Sequence, residues 1–127
     1  MKAAVRTDKA PAPFQGAPYS QGIVFGDLVF VSGQLGIDPQ TGDVVEGGIG
    51  PQTERVMQNL AAILEEAGSG LDKLLKTSIF LVDLADFAAM NEVYASHLTE
   101  PYPARATVQI AALPSGARVE IEAVAHR

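Results

Sequence analysis

The chain contains no cysteine. Disulfides, cysteine-ligated metal sites and a catalytic thiol are all excluded by that one absence. Histidine is scarce as well. His97 and His126 lie far apart and in no zinc-ligand spacing, so each reads as a solvent-facing or helix-end residue and no metal site is expected. Positive charge is also short: 9 Lys and Arg stand against 15 Asp and Glu, a net charge of −6. Phosphate backbones are gripped by clustered cations, so neither a nucleic-acid surface nor an anionic-membrane surface is expected. No segment approaches the length of a membrane span, and the start, Met1 to Lys9, has no apolar signal core. A cytoplasmic protein is the expectation. The glycine-rich stretch from Gly33 to Gly50 has neither GxxxxGK(S/T) nor GxGxxG spacing. It reads as a turn-rich connection, not a phosphate cradle.

What is present is 127 residues, 47% of them hydrophobic, enough for a single domain over 1–127 with its own core. Lys2 to Thr7 is a weak strand. Ala10 to Pro18, with three prolines, is irregular. Ile23 to Phe25 and Leu28 to Ser32 flank Gly26-Asp27 and form a hairpin. Leu28 to Val31 is apolar at every position, which predicts burial on both faces. In so small a domain, helices can cover one face, and a second subunit is the economical cover for the other.

Pro51 to Ala67 reads as a helix. Proline suits the first turn, and Val56, Leu60, Ile63, Leu64 and Ala67 form an amphipathic stripe that ends at Gly68. That stripe is core packing. Leu75 to Val82 is a strand, and Asp83 is placed to cap a second helix over Leu84 to Leu98. Its stripe is Phe87, Met90, Tyr94 and Leu98. Asn91 shares the face of Phe87 and Tyr94, and a polar group there needs a hydrogen-bond partner. A buried amide tying down a loop and a functional role both fit. The strand and helix order predicts an α+β domain, two helices on one face of one sheet.

Arg105 to Leu113 and Arg118 to His126 read as two strands joined by Pro114-Ser115-Gly116-Ala117, a second hairpin. Alternation puts Ala106, Val108 and Ile110 on a core face with Val119, Ile121 and Ala123. Arg105, Thr107 and Gln109 then share a polar face with Glu120 and Glu122. If Leu113 opposes Arg118, Gln109 opposes Glu122 and Ala111 opposes Glu120. Arg105 then lies roughly 20 Å from Glu120 along the strands. A site using both must be built from two chains. Arg105 follows Pro101-Tyr102-Pro103, which fixes its backbone. Its guanidinium suits bidentate capture of a carboxylate, or a structural salt bridge to a neighbour's Glu120 or Glu122. The two glutamates fit an acid/base pair or a solvated strand face. Tyr19 and Ser32 carry hydroxyls in or beside loops, and Ser32 has no adjacent base of the triad kind.

The segments Ala17-Pro18-Tyr19-Ser20-Gln21-Gly22, Val31-Ser32-Gly33-Gln34, Val82-Asp83-Leu84 with Phe87 and Asn91, Tyr102-Pro103-Ala104-Arg105, and Val119-Glu120-Ile121-Glu122-Ala123 together resemble the RidA (YjgF) family of reactive-intermediate, or enamine/imine, deaminases. The resemblance runs through nearly the whole chain in order. It implies a chorismate-mutase-like α+β fold with one mixed sheet, and a homotrimer with three sites between subunits. It also implies hydrolysis of 2-aminoacrylate and related 2-enamino and 2-imino acids to 2-keto acids and ammonia, without a cofactor. On this reading Arg105 binds the substrate carboxylate and Glu120 positions or activates water. Tyr19, Ser32, Gly33, Asn91 and Thr107 shape the pocket. Thr107 stands where many members have cysteine, so no thiol serves the chemistry here. A trimeric scaffold of the same fold that binds small carboxylates or a protein without turnover is the alternative. Ribonuclease activity, attached to some relatives, is disfavoured by the acidic charge and the lack of paired histidines.

Overall fold

The computed structural model describes residues 1–127. Its strands are β1 (Ala3–Val5), β2 (Gly22–Phe25), β3 (Leu28–Leu35), β4 (Leu74–Leu81), β5 (Ala104–Gln109) and β6 (Val119–His126). Two helices, α1 (Ile49–Glu66) and α2 (Phe87–Ser96), complete it. The strands form one sheet in the order β1-β2-β3-β6-β4-β5. β4 and β5 run parallel, and every other neighbouring pair is antiparallel, so the sheet is mixed. This is the α+β architecture expected, and both helices lie on one face. No helix is long and apolar enough to cross a membrane.

The hairpin of β2 and β3 forms around Gly26-Asp27, with Phe25 opposite Leu28. The connection to α1 is shorter than the glycine pattern suggests, because β3 continues to Leu35 and α1 begins at Ile49. Val56, Leu60, Ile63 and Leu64 of α1 are fully buried against Val29, Ile79, Val119 and Ile121 of the sheet. Burial of each such side chain is worth about 1.5–3 kcal/mol, which explains why the stripe fixes the face that α1 presents. The helix is also pinned by polar groups. Asn59, fully buried, donates from Nδ2 to Leu35 O (3.1 Å) and Ile37 O (2.9 Å). The Gln52 side-chain oxygen accepts from Arg118 N at 2.8 Å. Both ties end where β3 and β6 carry candidate residues.

α2 is shorter than predicted. Asp83 caps, but it caps a single 3-10 turn at Leu84–Asp86, its Oδ1 accepting from Ala85 N at 2.9 Å. The α-helix then starts at Phe87, with Met90 and Tyr94 buried.

The second predicted hairpin does not exist. β5 and β6 are not neighbours, because β4 lies between them and pairs with both. The turn residues form a 3-10 turn at Pro114–Gly116 within a longer crossing segment. The physical reason is composition. β4 buries Thr77, Ile79 and Leu81 and takes the inner place beside β6, whereas the more polar β5 goes to the edge, where its arginine protects an open strand. The predicted register, Gln109 opposite Glu122 and Ala111 opposite Glu120, falls with the hairpin.

The face assignment of β5 falls too. Thr107 is level with buried Ile79, and Val108 is level with Phe80, so β5 turns Arg105 and Thr107 toward the helices and Val108 away. Val108 is accordingly 45% exposed, not core. In β3, Val29 and Val31 are buried, but Leu28 and Phe30 are 38% and 44% exposed on the helix-free face. Burial on both faces is therefore not met within one protomer.

Candidate functional site

β3 and β6 build the first half of the site. Their register shifts between Val31 and Gln34, so Ser32 and Gly33 together stand against Glu122 alone. A bulge of this kind re-aims side chains at a sheet. Gly33 makes room for Glu120. A Cβ placed on Gly33 would lie 2.7 Å from the Glu120 Cδ, closer than carbon atoms approach, so only glycine lets the carboxylate lie against the backbone. Ser32 is committed to the fold: its hydroxyl donates to Ser20 O at 2.6 Å and its backbone N–H to Gln21 O at 2.9 Å. Gln21, buried, donates from Nε2 to Thr7 O, Ala10 O and Pro11 O, which anchors the proline-rich segment. The Tyr19 hydroxyl accepts from Phe14 N at 2.7 Å, which leaves its own proton free. These parts enclose a cavity of about 810 Å³, with Tyr19, Ser32, Gly33, Glu120 and Glu122 in its wall. Burial pushes the Glu120 carboxyl above the ordinary carboxylate range, and the neighbouring Glu122 charge pushes it further the same way.

β5 and α2 build the second half. Arg105 is level with Thr77 on β4, and its side chain reaches over α2. Nη1 donates to Asn91 Oδ1 at 2.6 Å. The guanidinium carbon lies 5.4 Å from the Phe87 ring centre and 5.2 Å from that of Tyr94. Arg118 pairs with Asp86 and His97 hydrogen-bonds Glu54, whereas no carboxylate lies against Arg105, so Arg105 is held by neutral groups and its charge is not cancelled. Asn91, Tyr94, Tyr102, Pro103 and Arg105 line a cavity of about 360 Å³.

Tyr19, Ser32, Gly33 and Glu120 are thus brought together, as are Asn91 and Arg105, but the two groups are separate. Glu120 lies between buried Val119 and Ile121 and points away from the helices, whereas Arg105 points toward them. They do not share a face, contrary to expectation. Glu120 is level with Phe80 and Arg105 with Thr77, on strands either side of β4, so their backbones are about 14 Å apart at sheet spacings. The distance is shorter than the hairpin register required, but the sheet itself now stands between the side chains.

Thr107 lines neither cavity. Its hydroxyl is buried and has no hydrogen-bond partner in the chain. Phe87 and Tyr94, read from the sequence as helix packing, turn out to flank Arg105. Their spacing with Asn91, at i, i+4 and i+7, was the available signal. No group of three or more His, Asp or Glu side chains converges as metal ligands would.

The sequence matches the family described as Endoribonuclease L-PSP over residues 7–127. A RutC family protein of Pyrococcus abyssi is 48% identical over 126 residues, covering 99% of this chain and 98% of that protein. The 2-iminobutanoate/2-iminopropanoate deaminase of Homo sapiens is 40% identical over 121 residues, covering 95% and 87%. The crystal structure of RidA from an Antarctic Psychrobacter superposes with a TM-score of 0.93 and 48% identity, across 98% of this chain and 99% of that one.

Proposed function

The chain belongs to the Endoribonuclease L-PSP family, that of the RutC and RidA proteins, and from there we propose that it hydrolyses small 2-imino and 2-enamino acids to 2-keto acids and ammonia. The observation that carries the reading is the uncancelled Arg105 guanidinium, oriented by Asn91 and two aromatic rings at an open rim. Such a group is prepared for an anion, and its planar fork suits a carboxylate. The human relative, 40% identical, is named for deamination of 2-iminobutanoate and 2-iminopropanoate. Both names denote small carboxylates with an adjacent carbon–nitrogen double bond.

The chemistry follows from the two halves. Arg105 holds the carboxylate, and Thr107, two residues along the same strand face with its hydroxyl buried, backs the Arg105 side of the pocket. Glu120 takes a proton from water as the water oxygen bonds to the imine carbon. The carbon–nitrogen π pair moves to nitrogen, which takes the proton Glu120 has gained. Glu120 then removes the hydroxyl proton of the tetrahedral product and passes it to nitrogen as the carbonyl forms, the carbon–nitrogen bond breaks and ammonia leaves. A general base contributes about 10²–10⁴-fold, most when its pKa approaches the working pH. The upward push on Glu120 acts in that direction. Tyr19, with its hydroxyl proton free, and the Gly33 backbone border the ligand on the Glu120 side. No cofactor enters this scheme.

Because Arg105 and Glu120 occupy opposite faces, one protomer cannot complete the site. We assign the missing half to a second copy in a homotrimer. The exposed Leu28, Phe30 and Val108 on the helix-free face supply apolar surface for such contacts. The partners in this reading are the small substrate and two further copies, with no nucleic acid or membrane.

The test is to generate imines in place with an amino-acid oxidase, trap them with semicarbazide and measure how far the protein slows semicarbazone formation. Wild type is expected to compete. Arg105→Ala is expected to lose about a hundredfold or more in kcat/KM while the assembly is unchanged. Equal behaviour of the two proteins would leave only a carboxylate-binding scaffold.

A further inference from the structure

We propose that Tyr94 is a positioning residue for Arg105, setting the angle at which the guanidinium meets a substrate carboxylate; the inference rests on the deaminase reading for its substrate but not for its geometry. Tyr94 is 6% exposed, and its hydroxyl lies 2.8 Å from Thr77 Oγ1. Thr77 is the residue of β4 paired with Arg105 on β5. One strand position therefore holds the ring, and its neighbour one strand over carries the cation that the ring faces.

Packing alone does not call for this arrangement. A phenylalanine would cover the same apolar surface. Two buried hydroxyls that satisfy one another are costly to separate, so the bond locks the ring plane instead of leaving it free to tilt. Phe87 and Tyr94 are seven residues apart, about 10.5 Å along the helix axis. Distances of 5.4 and 5.2 Å from their ring centres place the guanidinium midway along that face, over Asn91. Nη1 is occupied by Asn91, which leaves Nε and Nη2 as the edge with no partner in the chain. If the ring shifts, that edge rotates, and bidentate geometry tolerates little rotation. A carboxylate should therefore sense Tyr94 without touching it.

The experiment compares wild type, Tyr94→Phe, Tyr94→Leu, Arg105→Lys and the double variant Tyr94→Leu/Arg105→Lys. KM and kcat are measured for oxidase-generated imines, and binding of 2-oxobutanoate is measured by calorimetric titration. Tyr94→Phe is expected to raise KM and the 2-oxobutanoate Kd about threefold and Tyr94→Leu about tenfold, with kcat changed less than about twofold. In the Arg105→Lys background, the same Tyr94→Leu change is expected to move KM and Kd by less than about twofold, because the effect runs through the guanidinium fork. Equal losses in both backgrounds would assign Tyr94 to general packing and overturn the proposal. So would 2-oxobutanoate binding by both Tyr94 variants as tight as wild type, or no binding by wild type at all. Wild type that binds 2-oxobutanoate but leaves semicarbazone formation untouched would sink the deaminase reading alone, and the binding measurements would then decide on Tyr94. Tyr94→Phe keeps the core filled, so a misfolded Tyr94→Leu does not remove the test.

Discussion

Glu120 and Glu122 stand two residues apart on β6, yet their surroundings differ. Glu120 is half-buried beside Gly33, and Glu122 is exposed. Burial and the neighbouring charge both disfavour the ionised form of Glu120. A base acts only when deprotonated, so kcat/KM should rise with pH through the lifted Glu120 pKa. Removing the Glu122 charge takes away one upward push. Glu122→Gln should therefore shift the acid limb of the pH–rate profile toward lower pH. The profile of kcat/KM for both proteins checks this, and an unmoved limb would mean that Glu120 is not the titrating base. The sequence could offer the i, i+2 pair but not this difference. Inequality between two like groups comes from what surrounds them, here a bulge and a missing Cβ on another strand.

α1 shows what an element-level pattern reveals and what it omits. Its apolar stripe, read at helical spacing, predicted the buried face, and Val56, Leu60, Ile63 and Leu64 are fully buried. The polar residues buried beside them were invisible to that pattern. Asn59 spans the end of β3, where it meets two carbonyls. Asn59→Ala should leave both without a donor and cost about 2–4 kcal/mol of stability, measured by denaturant unfolding. A loss within about 0.5 kcal/mol would show that water replaces the amide. β5 illustrates the opposite case. Its alternation was real, but alternation does not state which strand lies alongside. Inserting β4 reversed the face on which Arg105 and Thr107 lie.

At the scale of the whole molecule, the sheet separates the two halves of the candidate site, and that separation can be tested without a structure of the assembly. Arg105→Ala and Glu120→Ala proteins should each be inactive. Refolded together in equal amounts, they should recover about a quarter of wild-type activity, since random mixing in a closed ring pairs an intact Glu120 with a neighbour's intact Arg105 at that frequency. A site contained in one protomer would recover nothing. The requirement for two chains was reached from the sequence through a hairpin that does not form. The structure supports the two-chain proposal by a different route: Arg105 and Glu120 lie on opposite faces of the sheet, not far apart along a shared one.

The amino-acid order alone settled the local matters: helix stripes, the β2–β3 hairpin, the exclusion of thiol chemistry, and the ordered set of motifs that pointed to the family. These depend on spacing, turn chemistry and composition, all of which act between near neighbours in the chain. Strand order, the bulge that seats Glu120 against Gly33, and the ring-lined cradle of Arg105 required the folded molecule. Each depends on which distant segments win the competition to lie side by side, and that competition is decided by burial summed over the whole core.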